Sequence, residues 1–174
     1  MTKRKIEYWV IPPEQDAACV AGMEAVLATS AQAYEPHHPV WCMDEQPVQW
    51  LTETRVPIAA TTQHGRRVDY AYERNGTASI FMFAAPLAGF RQAPARLRRT
   101  TTDGASDVAQ RLDTRSADCE DVTLVCDNLT PHTKGAFSEA FEPTRARAYI
   151  KRLNFCSTPN HGSWLHVAAC ALRC

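Results

Sequence analysis

Apolar positions along the chain fall into two periods, separated by proline- and polar-rich breaks. Behind Pro12-Pro13 and the acids Glu14 and Asp16, residues Val20, Met23, Val26 and Leu27 recur at helical spacing, which predicts a helix to about Ser30. Pro36, His37, His38 and Pro39 break it. Val40-Trp41-Cys42-Met43 is then a continuous apolar run that stops at Asp44-Glu45, the pattern of a buried strand. Between residues 66 and 84, Val68, Tyr70 and Tyr72 alternate with polar neighbours, and residues 79–83 are rich in β-formers. Asn75-Gly76 between them predicts the tight turn of a β-hairpin. Residues 106–113 read as a helix weakened by Gly104 and Ser116, and residues 122–126 as a second buried strand that ends on Asp127. Two helices (133–141 and 145–151), a third buried strand (153–157) and a final helix from a Ser163 cap to Leu172 complete the pattern. A meander followed by strands alternating with helices predicts an α/β fold: a mixed sheet with an antiparallel hairpin, and the Asp44 and Asp127 strands as parallel neighbours.

The composition narrows the function classes. With 174 residues, 45% hydrophobic and 22% charged, the chain is long enough for one folded domain and is not disordered. Nineteen Lys and Arg balance nineteen Asp and Glu, so the net charge of zero excludes a strongly basic, free-standing DNA-binding module. Any nucleic acid must meet a local patch, or a part of the protein outside this sequence. Two candidates exist: Arg91, Arg96, Arg98 and Arg99, and Arg145, Arg147, Lys151 and Arg152, each readable as a phosphate-tracking cluster or as a solvated face. The longest apolar stretch, residues 80–90, contains Pro86 and Gly89 and is shorter than the roughly 18 residues of a membrane helix. The N-terminus lacks the apolar core of an export signal. Seven cysteines without a C-x-x-C pair give no zinc ribbon and no redox motif, and Cys42, Cys126 and Cys156 fit as small buried hydrophobes. Together these point to a cytoplasmic protein with no membrane partner.

Candidate chemistry sits on the acids at the strand ends. Ligand sites in open α/β sheets lie at the carboxyl ends of strands, and two carboxylates side by side repel unless a proton or cation lies between them. Asp44 and Asp127 would suit magnesium, which takes one or two carboxylates with phosphate oxygens and water. Each could equally cap a following turn.

Four segments in one order sharpen this reading: Cys42-Met43-Asp44-Glu45, Tyr72-Glu73-Arg74-Asn75-Gly76-Thr77, Cys126-Asp127-Asn128-Leu129 with His132-Thr133, and Thr158-Pro159-Asn160-His161-Gly162-Ser163-Trp164-Leu165. Together they resemble the catalytic region of mariner-type DDE transposases, in the branch carried by bacterial insertion sequences. The resemblance runs from about Lys5 to the last residue and divides the chain into an N-terminal linker and helix (1–33) and a DDE-transposase-like domain (34–174). It implies a ribonuclease-H-like fold and a magnesium- or manganese-dependent cut-and-paste reaction on DNA, in which an activated water cuts the transposon end and the freed 3′-hydroxyl attacks target DNA. Asp44 and Asp127 match the first two catalytic, metal-binding acids. Arg98, Arg99, Asn128, His132, His161 and Trp164 are the implied DNA contacts, although Asn128 and His132 also suit helix capping and loop packing. The implied partners are transposon-end and target DNA and a second copy of the chain.

Two departures from the family stand out. Its third acid, a glutamate, is matched here by Ala169, and Glu142 is the last Asp or Glu in the chain. His166 lies one helical turn earlier, but imidazole is a poor magnesium ligand. The family's helix-turn-helix domains precede this region, and Cys174 falls inside the last helix, so a truncated core is expected. The resemblance therefore implies a catalytically impaired remnant; the alternatives are a non-catalytic DNA-binding or subunit-interaction module, and a live nuclease with another third ligand.

Overall fold

In a computed structural model of the chain, the residues described are 17–127, 134–160, 162–165 and 167–172. The two longest strands, β1 (Val40–Glu53) and β2 (Tyr72–Ala85), pair antiparallel, and β3 (Phe90–Gln92) and β4 (Ala95–Arg96) return along the far side of β2. On the other side β1 pairs parallel with β5 (Val122–Cys126), which pairs parallel with β6 (Leu153–Ser157). The described strands form one mixed six-stranded sheet in the order β3-β2-β1-β5-β6, with β4 also on β2.

Helices cover both faces. Helix α2 (Thr101–Thr114), α3 (Lys134–Ala140) and α4 (Pro143–Lys151) lie on one, where Val108, Leu112, Phe137 and Tyr149 pack with Trp41, Met43, Phe83 and Leu124. On the other, α1 (Ala17–Ser30) and α5 (Val167–Leu172) bring Val26 and Ala168 onto Val40, Cys42, Ala84 and Val125. The period of two along β1 separates the faces: Trp41 and Met43 go to the first core, Val40 and Cys42 to the second.

Strands β5 and β6 and helices α3 and α4 lie where their apolar patterns predict them. Helix α2 begins earlier than expected because Thr100 and Asp103 form a reciprocal capping box, which satisfies backbone donors that would otherwise be orphaned. The expected start of α1 falls outside the described residues. Its Val20 and Leu27 are 41% and 53% exposed, so only part of the predicted apolar stripe is buried.

The structure corrects three expectations. Asn75-Gly76 is not a hairpin turn: both residues lie inside β2, whose partner is β1, and the chain reverses in residues 54–71. In the register Thr77 faces Gln49 and Arg74 faces Leu51, so Asn75 and Gly76 together oppose Trp50 in a β-bulge. Gly76 has φ +100°, a conformation glycine supplies in a bulge as readily as in a turn. Second, β1 does not stop at Asp44 but runs on to Glu53, where β1 and β2 continue as a solvent-exposed ribbon. Third, the final helix is divided into a 3₁₀ turn (Ser163–Leu165) and α5.

Candidate metal and nucleic-acid site

The parallel pairing of β1 and β5 decides where the acids stand. Met43 faces Cys126 in register, so Asp44 and Asp127 are the next residues on two adjacent strands, which run about 4.8 Å apart in a sheet. Asp44 pairs across β1 and β2 with Met82, whose side chain packs in the α1/α5 core, so Asp44 leaves the sheet on that face. Val125 belongs to the same core, and the alternation carried one step on gives Asp127 the same face. Both acids are half-buried. The Glu45 backbone N–H donates to Asp44 Oδ1 at 2.8 Å.

The Thr158-Pro159 segment braces the end of β5. Thr158 is buried and its backbone N–H donates to the Cys126 carbonyl at 2.9 Å, directly before Asp127. Gly162 is dictated by close approach, since a Cβ there would sit 2.7 Å from Pro159 Cγ and 2.9 Å from its carbonyl oxygen.

Helix α5 starts over the same strand end. Burial pushes the Cys42 thiol up to about 11, against the opposing pull of the backbone N–H groups of Val167 and Ala168. Cys42 is two residues before Asp44 on one face of β1, so the first turn of α5 packs on the face of the sheet that Asp44 shares. Ala169 follows in that turn and is 4% exposed. Cys126 is raised further, to about 12, by burial reinforced by the negative charge of Asp127.

Among the described residues no cluster of three or more His, Cys, Asp or Glu side chains could hold a metal ion. Asp44 and Asp127 bring at most two carboxylates to this edge of the β1–β5 ladder. This fits a hard divalent cation that keeps water and phosphate oxygens as its other ligands, and does not fit a closed zinc site.

Of the arginines the sequence singled out, several have partners. Arg99 grips the buried Glu45 carboxylate, with Nε and Nη2 each 2.6 Å from Oε1. Arg96 pairs at 2.6 Å with the buried Asp107, which also faces Arg111. Arg145 reaches Asp113 and the Tyr149 hydroxyl, and Arg152 donates to the carbonyls of Ser116 and Cys119 beyond α2. Arg98 and Trp164 are exposed. Asn128, His132 and His161 lie outside the described residues. Glu45 is the residue that strand patterning undervalues: an acid on the Trp41–Met43 face of an apolar strand requires a buried cation, but nothing local identifies Arg99 as its source.

No protein-family model matches the chain, and no curated protein matches it. Among solved structures, the Mos1 strand transfer complex is similar with a TM-score of 0.51 and 10% identity, over 88% of this chain and 45% of that one. The fold is shared with the protein of that complex. It is ribonuclease-H-like, with the mixed sheet and flanking helices described above. The Mos1 paired-end complex with the left transposon end gives a TM-score of 0.46 at 16% identity, over 92% of this chain and 47% of that one. The Mos1 mariner paired-end complex with Mn gives 0.47 at 14% identity, over 90% and 47%. The chain thus spans under half the length of these Mos1 chains. No described helix is long and apolar enough to cross a membrane.

Proposed function

We propose that this chain is the core of a mariner-type DDE transposase from the bacterial insertion-sequence branch, catalytically impaired because Ala169 occupies the third-acid position. The observation that carries the reading is the β1–β5 register, with Asp44 and Asp127 on one face, each the residue after the last parallel pair, Met43↔Cys126. These two carboxylates would hold one magnesium or manganese ion. Such an ion supplies charge stabilisation at a phosphodiester and lowers the pKa of bound water. Asp44 and Asp127 orient the ion's site toward DNA, and Arg98 and Trp164, with Asn128, His132 and His161, contact the strand. A third carboxylate is absent from position 169, so a second ion has too few protein ligands. Charge stabilisation at the attacking or leaving oxygen is typically worth about 3–4 kcal/mol, a loss of roughly two to three orders of magnitude in rate.

Metal titration of the parent, Asp44→Ala and Asp127→Ala tests the site: both variants should lose Mn²⁺ binding. With zero net charge leaving only local arginine patches to meet phosphates, binding of this chain to labelled duplex DNA should be weak, sequence-independent and salt-sensitive. Affinity for one sequence that persists at high salt contradicts this. Magnesium-dependent nicking by the parent that Asp127→Ala abolishes overturns the impaired reading in favour of a live nuclease.

A subunit-interaction role has its own support. The β1–β2 ribbon and the segment 54–71 that joins its strands expose Trp50, Leu51, Val56, Ile58, Tyr70 and Tyr72, and two ion pairs lie there, Arg66 with Glu53 and Arg55 with Asp69. An apolar surface of this kind supports a protein contact, and the partner of this reading is a second copy of the chain. Sedimentation showing a concentration-dependent dimer that Trp50→Ser with Tyr70→Ser dissolves supports it; a monomer throughout removes it.

A further inference from the structure

We propose that Arg99 is a positioning residue for Asp44, acting through Glu45; the inference rests on the metal reading of Asp44 above. At Cys42 and Met43, strand β1 is held on both sides, by β2 and by β5. Among the described residues the β5 ladder ends at Met43↔Cys126, and from Asp44 onward the ladder of β1 is the one with β2. At that point Glu45 turns its side chain, 1% exposed, into the α2 face of the sheet. A carboxylate so deeply desolvated keeps its charge only beside a cation, and Arg99 meets it with two nitrogens at 2.6 Å.

Arg99 is itself firmly mounted. Upstream, Arg96 pairs with β2 at Ser79 and with the buried Asp107; downstream, Thr100 caps α2. The clamp therefore ties β1 to the start of α2 immediately behind Asp44. Its setting reaches the metal-binding group through one peptide, because the Glu45 N–H donates to Asp44 Oδ1. A change in the tilt of that peptide turns the carboxylate. Groups that hold a metal ligand in place are typically worth about 10–100-fold in metal affinity.

The experiment is Mn²⁺ titration of the full chain, with folding checked by circular dichroism, alongside duplex-DNA binding. Arg99→Met should weaken Mn²⁺ by about tenfold and leave DNA affinity unchanged. Arg99→Lys, which keeps the charge but offers a single nitrogen, should fall between Arg99→Met and the parent. Charge alone predicts the opposite sign, since removing a cation near the site favours a bound metal. Parent-like or tighter Mn²⁺ binding in either variant overturns the inference; so does a loss of DNA affinity with Mn²⁺ unchanged, which makes Arg99 a DNA contact. If Arg99→Met does not fold, Arg99→Lys carries the test alone. Asp44→Asn separates the two claims: if it leaves Mn²⁺ binding unaffected, the metal reading fails and this inference with it, whereas loss of binding there with parent-like Arg99 variants sinks the inference only.

Discussion

Restoring a carboxylate at position 169 is the sharpest test of the site. Ala169 is 4% exposed, in the first turn of a helix seated beside Cys42 on the face that Asp44 shares. A glutamate there enters a confined space, and on the proposed reading it faces Asp44 and Asp127. Without metal, an uncompensated buried charge typically costs about 3–5 kcal/mol, so Ala169→Glu should be less stable than the parent in chelator. With metal the sign reverses, because three acids can now share the ion. A cation at one hundred times its Kd stabilises the folded state by about 2.7 kcal/mol. At roughly 2–4 °C per kcal/mol for a domain of this size, the melting temperature should rise by about 5–11 °C between chelator and saturating Mn²⁺. Ala169→Gln is the control, equal in volume and unable to hold the ion by charge. Thermal melts of parent, Glu and Gln chains with and without Mn²⁺, and calorimetric titration of each, make the comparison. A folded Ala169→Glu chain whose Mn²⁺ response matches that of Ala169→Gln refutes the placement of position 169 at the metal site.

Asp107→Ala should destabilise the chain by about 3–5 kcal/mol in urea unfolding, because it strands the buried Arg111 guanidinium and frees Arg96; a change below 1 kcal/mol counts against the network. Cys42 and Cys126, raised by burial to about 11 and about 12, should resist alkylation at pH 8 in the native chain and react only on unfolding, whereas the exposed Cys170 should label. Rapid native labelling of Cys126 contradicts its buried position in β5. The Asp121 carboxylate, 3.0 Å from His38 Nδ1, holds the imidazolium above its ordinary 6.5. A raised folded value means that the stabilisation is complete below pH 6.5 and disappears as pH rises through the folded pKa. NMR titration should find His38 above 6.5 in the parent and closer to 6.5 in Asp121→Asn; equal values disprove the contact.

What the sequence by itself determined is the set of elements whose patterns close locally. Strands β5 and β6 are continuous apolar runs bounded by polar breaks, and α4 begins at a proline, so neighbouring residues alone specify them. Asp127 behind β5 was legible for the same reason, whereas the strand end expected at Asp44 was not, since β1 runs on to Glu53 beside β2; the parallel arrangement followed from the length of the crossover between the strands. The Asn75-Gly76 pair shows where local reading stops. Backbone freedom at Gly76 serves a two-residue turn and a bulge equally, and only the partner strand, β1, makes it a bulge. Tertiary structure alone decided the partners of the charges. Glu45 and Arg99 are separated by 54 positions, and Arg145 and Asp113 by 32. Ion pairs over such separations depend on how helices settle on the sheet. The face shared by Asp44, Asp127 and α5 was fixed in the same way, by strand register and helix docking, which depend on packing between residues far apart in the chain.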